Sequence, residues 1–178
     1  MKLSASYCID QNDNLCNFGE SWDAFAFANA SHDMTGGLLE GRSLWDFIAN
    51  RETRKIYQTL YTRVRDTGAH GEINFRCDSP VLKRNMELVI EPWGDYLLHT
   101  SRLVSETPRP LNRLFTQAIT QDPHDAYLIM CSWCKRVKLD EAWFDSDIAM
   151  KQLEAARIAI PDISYGMCED CFARHDPG

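Results

Sequence analysis

Two pairs of cysteines in the C-terminal part of this 178-residue chain constrain its fold more than any other feature. Cys131 and Cys134 form one C-x-x-C motif, and Cys168 and Cys171 form the other. Two residues between cysteines let both sulfurs of a tight turn reach one ion, and four thiolates complete a tetrahedral structural zinc site. Residues 135 to 167 separate the pairs, and this gap exceeds the roughly 15–20 residues of the commonest four-cysteine pattern. A longer loop costs little entropy, so the spacing still predicts a small zinc-stapled αβ module.

The same cysteines are compatible with other chemistries. Tetrahedral sulfur sites also suit iron, which would make the chain an electron carrier or redox sensor. C-x-x-C pairs also act as thiol–disulfide switches. His175, four residues after Cys171, is an alternative ligand in place of one cysteine. We favour structural zinc because four cysteines close the coordination shell, whereas catalytic zinc keeps one position open.

Residues around the motif fit a metal site. Lys135, Arg136 and Lys138 follow the first pair, where they either offset the negative charge of a zinc tetrathiolate or lie on a solvated face. The C-terminal segment offers few large apolar side chains, so we expect a metal to supply part of its stability. The remaining cysteines, Cys8, Cys16 and Cys77, are predicted to be small buried hydrophobic residues.

The N-terminal part predicts strands, then helices, then strands again. Residues 7–10 and 15–18 predict a hairpin around a turn-rich segment. Helical spacing of apolar residues indicates helices over 20–30 and, more strongly, over 52–67, with a short segment at 43–48 between them. Three alternating strands follow, which predict an antiparallel meander packed against the helices.

Prolines divide the chain. Pro108 and Pro110 disfavour both helix and central strand, which predicts a linker over 107–125. The predicted domains are therefore 1–106 and 126–178, and the fold class is α+β.

Composition and charge limit the function. The net charge of −7 disfavours a nucleic-acid partner. No apolar run approaches the roughly 20 residues of a membrane span, and Met1–Cys8 makes a poor signal peptide, so we expect a cytoplasmic protein with few or no disulfides. Neither H-E-x-x-H nor a Ser/His/Asp arrangement is recognisable, and we do not expect an enzyme.

The order of elements over about residues 5–106 resembles a PAS domain, in which a strand hairpin, helices and a three-stranded meander follow one another. The stretch Gly41-Arg42-Ser43-Leu44-Trp45-Asp46-Phe47-Ile48 is similar to the "G-x-s-l-w-d-f-i" often found ahead of the long PAS helix. Phe75-Arg76-Cys77-Asp78-Ser79-Pro80 resembles a subgroup of bacterial PAS proteins.

The C-terminal part resembles a module appended to many bacterial PAS and two-component proteins. Ile129-Met130-Cys131-Ser132-Trp133-Cys134-Lys135-Arg136-Val137 looks like their "I-C-x-x-C-K-k-I/V" motif, and Trp143 matches a tryptophan that follows it. Ser164-Tyr165-Gly166-Met167-Cys168-Glu169-Asp170-Cys171 is similar to "S-H-G-I-C-x-x-C", with Tyr165 in place of the usual histidine.

The resemblance implies a stand-alone sensor or adaptor. PAS domains often dimerise and bind a small ligand between sheet and helices, and they signal to kinases, cyclases or transcription outputs. We expect this chain to form a homodimer and to act in trans on a kinase or cyclase. Haem would need an axial ligand such as His32, and the usual motif around a flavin-reactive cysteine is absent. The candidate pocket is formed by apolar residues of helices and strands, namely Phe25, Phe47, Ile56, Leu60, Phe75, Leu88 and Leu98.

Overall fold

The chain divides into two compact units in the computed structural model, which describes residues 4–28, 31–120 and 127–175. Unit 1 contains Met1–Phe75 and Met86–Val104, and unit 2 contains Arg76–Asn85 and Ser105–Gly178. The sequence had placed 76–85 in the N-terminal domain and 107–120 in a linker, whereas both stretches group with unit 2. The remainder of the predicted linker, with His124, and the last residues of the helix predicted over 20–30 lie outside the described residues.

Unit 1 is built on an antiparallel five-stranded sheet, so the α+β class is confirmed. Its strands are β1 (Ser4–Ile9), β2 (Leu15–Cys16), β3 (Gly71–Arg76), β4 (Leu82–Trp93) and β5 (Tyr96–Pro108). They lie in the order β2-β1-β5-β4-β3. Strands β1 and β2 form the predicted hairpin, in which Ile9 pairs with Leu15. Strand β5 extends to Pro108, whereas the predicted linker began at residue 107. Proline is tolerated there because it is the last residue of the strand.

The helices of unit 1 all come between β2 and β3 in the chain. They are α1 (Trp22–Ala28), α2 (Gly36–Leu39), a 3-10 helix at Leu44–Asp46 and α3 (Arg51–Thr67). The Asn50 side chain caps α3 by accepting a hydrogen bond from the Thr53 N–H, and Gly68 ends it with φ +70°. In the described part of the chain, no helix has the length and apolar character needed to cross a membrane.

The inner face of the unit 1 sheet differs from the prediction at one strand. In β5 the buried side chains are Leu97 and His99, and Leu98 is half-buried on the opposite face. The His99 ring stacks on Tyr7 with centroids 4.5 Å apart, and its Nε2 lies 2.9 Å from the hydroxyl of Tyr61 on α3. Polar aromatic side chains therefore take part in this core alongside aliphatic ones.

The described residues of unit 2 form a mixed four-stranded sheet and two α-helices. The strands are β6 (Tyr127–Cys131), β7 (Val137–Leu139), β8 (Ala142–Phe144) and β9 (Asp162–Gly166), in the order β8-β7-β6-β9. Strand β9 runs parallel to β6, and the other pairs are antiparallel. The helices are α4 (Ser146–Ala155), which connects β8 to β9, and α5 (Glu169–His175); a 3-10 helix covers Arg113–Thr116.

Unit 2 has a larger apolar core than the sequence suggested. Helix α4 and the sheet enclose a cluster of buried residues, namely Leu114, Met130, Val137, Ala149, Met150, Leu153 and Ile163. The expectation of few core residues was wrong because it overlooked Leu114, which lies in the stretch predicted as linker, and because small and flexible side chains such as Ala149 and Met150 fill the space under the sheet.

Candidate metal centre

The four cysteines predicted as ligands converge in unit 2. Their Sγ atoms all lie within 4.8 Å of one another, and those of Cys134 and Cys168 are 3.6 Å apart. A tetrahedral ion with Zn–S bonds of about 2.3 Å separates its sulfurs by about 3.8 Å. Three of the cysteines are buried and Cys134 is half-buried. The cluster is therefore of the size that could hold one metal ion, with sulfur as its only donor type.

Parallel pairing of β6 with β9 brings the two motifs together. Cys131 is the last residue of β6 and lies opposite Gly166, the last residue of β9. Cys168 follows two residues later, and Cys171 lies in the first turn of α5. Neighbouring parallel strands end at the same edge of a sheet, so both C-x-x-C motifs start from one place even though 33 residues separate them in sequence.

The first motif folds as a tight turn that presents both sulfurs on one side. The Lys135 N–H donates to the carbonyl of Cys131 at 3.1 Å, and the Cys131 N–H donates to the carbonyl of Arg136 at 2.7 Å. Lys135 has φ +58°, in the left-handed region that side chains seldom adopt. The turn therefore closes at Lys135, whose N–H bonds back to Cys131.

Gly166 ties this turn to the neighbouring strand. Its carbonyl accepts hydrogen bonds from both the N–H (2.9 Å) and the hydroxyl (3.1 Å) of Ser132. A Cβ atom at position 166 would lie 2.8 Å from Cγ2 of Ile129, too close for a branched side chain held in a sheet. The glycine before the second cysteine pair is thus required by close packing of β9 on β6.

Arg136 is the cation that contacts the sulfur cluster. Its Nε donates to Sγ of Cys134 at 3.4 Å, and its Nη2 forms a 2.7 Å ion pair with Asp170. Of the other two cations considered from sequence, Lys135 lies with its Nζ 4.8 Å from the ring centre of Tyr165, and Lys138 approaches the exposed Glu141 at 3.9 Å. The sequence left open whether these cations offset thiolate charge or lie on a solvated face. Arg136 does the first, and Lys138 does the second.

Protons are held unequally in the cluster. Hydrogen bonds from the Cys131 and Cys171 thiols, together with Arg136, hold the pKa of Cys134 well below its usual range. Burial raises the pKa of Cys168 to about 11, and the neighbouring Cys131 and Cys134 raise that of Cys171. Negative charge in the cluster is therefore favoured at Cys134, beside Arg136.

The segment Arg76–Asn85 holds the first cysteine turn from outside. The Arg76 N–H donates to the carbonyl of Trp133 at 2.7 Å, and its Nη1 donates to the carbonyl of Cys134 at 3.2 Å. The same Nη1 lies 3.0 Å from a carboxylate oxygen of Asp145. One arginine thereby fixes the carbonyl groups of Trp133 and Cys134 in the first cysteine turn.

Asp78 is the centre of a buried charge network next to this turn. Its side chain is fully buried, and it pairs with the guanidinium groups of Arg76 and Arg109, the latter at 3.1 Å. It also accepts a hydrogen bond from the Arg84 N–H. Sequence analysis missed this network, although the run containing Arg76 and Asp78 had been noted for its resemblance to bacterial PAS proteins.

Two further carboxylates extend the network to α4. Lys83 pairs with Asp145 at 3.2 Å and with Asp147 at 2.7 Å. Burial alone would raise the pKa of both carboxyls, but hydrogen bonds from Lys83 and other neighbours lower it below the usual value. Asp145 also caps α4 by accepting from the Asp147 N–H, which joins the charge network to the helix.

His175 lies beside the cluster as a packing residue. Its ring meets the indole of Trp133 edge-on, with centroids 4.3 Å apart. Among the described residues, the group that could hold a metal ion consists of the four cysteine sulfurs, and His175 is not part of it.

The apolar residues proposed for a PAS pocket occupy different environments in unit 1. Ile56 and Leu88 are buried, and Leu98 lies on the far face of the sheet as described above. The half-buried members are Phe25, Phe47, Leu60 and Phe75. His99, which was not among the predicted pocket residues, occupies the buried position next to Leu98.

Neither the models of known protein families nor the curated proteins gave a match to this chain.

Proposed function

We propose that unit 2 binds one structural zinc ion through Cys131, Cys134, Cys168 and Cys171, and that the chain is a signalling sensor or adaptor. The observation that carries the proposal is the convergence of four thiols on one point at the edge of a sheet. A closed shell of four sulfurs leaves no position for substrate, so the ion would stabilise the unit rather than perform chemistry.

The surroundings of the thiols fit a divalent ion held by four thiolates, such as zinc. A zinc tetrathiolate carries excess negative charge, and the guanidinium of Arg136 offsets part of it at the half-buried Cys134. The backbone turns that hold the sulfurs are fixed by Ser132, Gly166 and Arg76.

The signalling part of the proposal is supported by the order of elements in unit 1. A hairpin, helices and a meander follow one another, as the resemblance to PAS domains implies. We propose that unit 1 binds a small ligand or a partner protein, and that the chain acts in trans on a kinase or cyclase, as a cytoplasmic bacterial homodimer.

A redox role is the second candidate, and the accessibility of Cys134 favours it. This thiol is half-buried, its pKa is lowered by neighbouring thiols and Arg136, and its sulfur lies 3.6 Å from that of Cys168. Iron held by the same four sulfurs, or a reversible disulfide between them, would use these properties.

Elemental analysis of the purified, untagged protein, with its visible absorption spectrum, tests these alternatives. We expect about one zinc per chain in a colourless sample. The Cys171→Ser variant should lose the metal, and the matched Cys77→Ser variant should retain it. Iron with visible absorption bands would support the redox candidate, whereas a metal-free protein would contradict both metal assignments and favour the thiol switch.

A further inference from the structure

Two cysteines that look unrelated in sequence face each other in unit 1. Cys8 on β1 pairs directly with Cys16 on β2 across the antiparallel hairpin. Residues directly opposite in an antiparallel pair project to the same face of the sheet. Both thiols are free, Cys8 is buried and Cys16 is half-buried.

Backbone hydrogen bonds show which kind of pair this is. The N–H and C=O of Leu15 bond to Arg42 and Gly41 rather than to Ile9, so Ile9 and Leu15 form a non-hydrogen-bonded pair. Pairs alternate along the strands, so Cys8 and Cys16 form a hydrogen-bonded pair with Cα atoms about 5.5 Å apart. Disulfides span Cα separations of about 4.4–6.8 Å, so the Cα separation of this pair lies within the range that a disulfide bridges.

The turn at the end of the hairpin fixes this register. Oδ1 of Asp10 accepts hydrogen bonds from the N–H groups of Asn12 and Asn14, both at 2.8 Å, and its Oδ2 accepts from the Asn14 side-chain amide at 3.1 Å. A one-residue slip would move each side chain to the other face of the sheet. The two thiols are therefore held opposite each other by the turn.

We propose that Cys8 and Cys16 form a reversible cross-strand disulfide when the protein meets hydrogen peroxide. The half-buried Cys16 is the attacking residue, and the buried Cys8 resolves the intermediate. Disulfides at hydrogen-bonded pairs need a shorter Cβ separation than such pairs usually have, so the bond is strained and easily reduced.

The chemistry balances with peroxide as the oxidant. The Cys16 thiolate attacks one peroxide oxygen, which breaks the O–O bond and yields a sulfenic acid and hydroxide, and the hydroxide takes up the proton that the Cys16 thiol had lost and leaves as the first water. The Cys8 thiolate then attacks Sγ of Cys16, forms the S–S bond and displaces a second water once the leaving hydroxide is protonated. Two thiols and one peroxide thus give one disulfide and two waters, with two electrons passing from sulfur to oxygen.

The groups around the two thiols affect the rate of disulfide formation through the pKa of each thiol. Burial raises the pKa of Cys8, and the neighbouring Cys16 adds to the effect. Burial also raises the pKa of Cys16, to which Asp10 and Glu40 add, while a hydrogen bond involving Asn17 opposes them. The thiolate fraction rises with pH, so bond formation accelerates in mildly alkaline solution.

The experiment exposes the full-length, metal-replete protein to hydrogen peroxide and then alkylates the remaining thiols under denaturing conditions. Mass spectrometry should find the peptides of Cys8 and Cys16 joined, with the mass of two hydrogen atoms lost, and dithiothreitol should separate them. Cys8→Ser and Cys16→Ser should each abolish the joined species. Cys77→Ser is the matched control, because Cys77 is also half-buried but its N–H pairs with the carbonyl of Arg84; it should leave the joined species unchanged.

A parallel sample unfolded in urea shows that the peroxide used can oxidise Cys8 and Cys16. If the same treatment of the folded protein leaves both residues as alkylated thiols, the proposal is overturned. Accumulation of Cys16 sulfinic acid without the joined peptide would also overturn it. Zinc content is measured in the same samples, so failure of the disulfide is distinguishable from failure of the metal site.

Discussion

At the scale of single residues, His99 shows how burial sets a protonation state. Its Nδ1 lies 3.2 Å from the carbonyl of Leu97 and its Nε2 lies 2.9 Å from the Tyr61 hydroxyl. A neutral ring satisfies both contacts, with Nδ1–H donating to the carbonyl and Nε2 accepting from the phenol. Burial lowers the pKa of His99 to about 3, and the Arg65 cation opposes protonation further.

We predict that unit 1 loses stability in acid because of His99. The folded pKa lies below the unfolded value of about 6.5, so stability is fully present above pH 6.5 and declines as the pH falls toward 3. At pH 4.5 the expected loss is about 2–3 kcal/mol. Urea unfolding at pH 7 and pH 4.5 measures it. His99→Gln should remove this component of the pH dependence, and an unchanged dependence in that variant would contradict the assignment.

The same residue shows why the sequence could not orient strand β5. Leu98 is the more apolar choice for the buried face, but Leu97 and His99 occupy it. The imidazole is tolerated inside because Tyr61, 38 residues earlier on α3, supplies a partner for its nitrogen. Tyr61 and His99 come together only in the folded unit, so the local alternation of apolar residues predicts the wrong buried face for β5.

At the scale of elements, ion pairs and hydrogen bonds connect the segment Arg76–Asn85 to the rest of unit 2. Asp78, with no exposed side-chain surface, balances Arg76 and Arg109, and Lys83 reaches the N-terminal residues of α4. In the sequence these charges look like the solvated tip of a hairpin. Asp145, a partner of Arg76, and Arg109, a partner of Asp78, lie 69 and 31 residues away, so this burial could not be predicted locally.

Asp78→Ala should destabilise unit 2 by about 3 kcal/mol, because it leaves two buried guanidinium groups without their shared partner. Chemical denaturation of the zinc-loaded protein measures the loss. The matched control is Glu154→Gln, which removes a half-exposed partner of Arg113 and should cost less than about 1 kcal/mol. Equal effects of the two substitutions would show that the buried network contributes little.

At the scale of the whole molecule, each unit has its own source of stability. Unit 1 is an antiparallel sheet with helices, and unit 2 combines an apolar cluster with the four-cysteine site. The sequence predicted the element order of unit 1 and the four cysteines that converge in unit 2, because apolar periodicity and C-x-x-C spacing are local signals. It could not predict which unit takes residues 76–85, since that depends on contacts distant in the chain.

Removing the metal should affect the two units differently. With free zinc at about 100 times its Kd, binding stabilises the folded state by about 2.7 kcal/mol, and a chelator removes this contribution. We expect faster amide hydrogen exchange over 127–175 and little change over 4–75. Re-adding zinc should restore protection. Loss of protection confined to 4–75, or none anywhere, would contradict a structural metal in unit 2.

Because β6 and β9 are neighbours and parallel, the distance between the two cysteine pairs along the chain has no bearing on their distance in space. The intervening residues begin and end at the same edge of the sheet, so the β7–β8 turn at Asp140 could lengthen by insertion while the sulfurs stayed in place. Relatives of this site would then share strand pairing, the glycine at position 166 and both C-x-x-C turns, while differing freely in the number of residues between them.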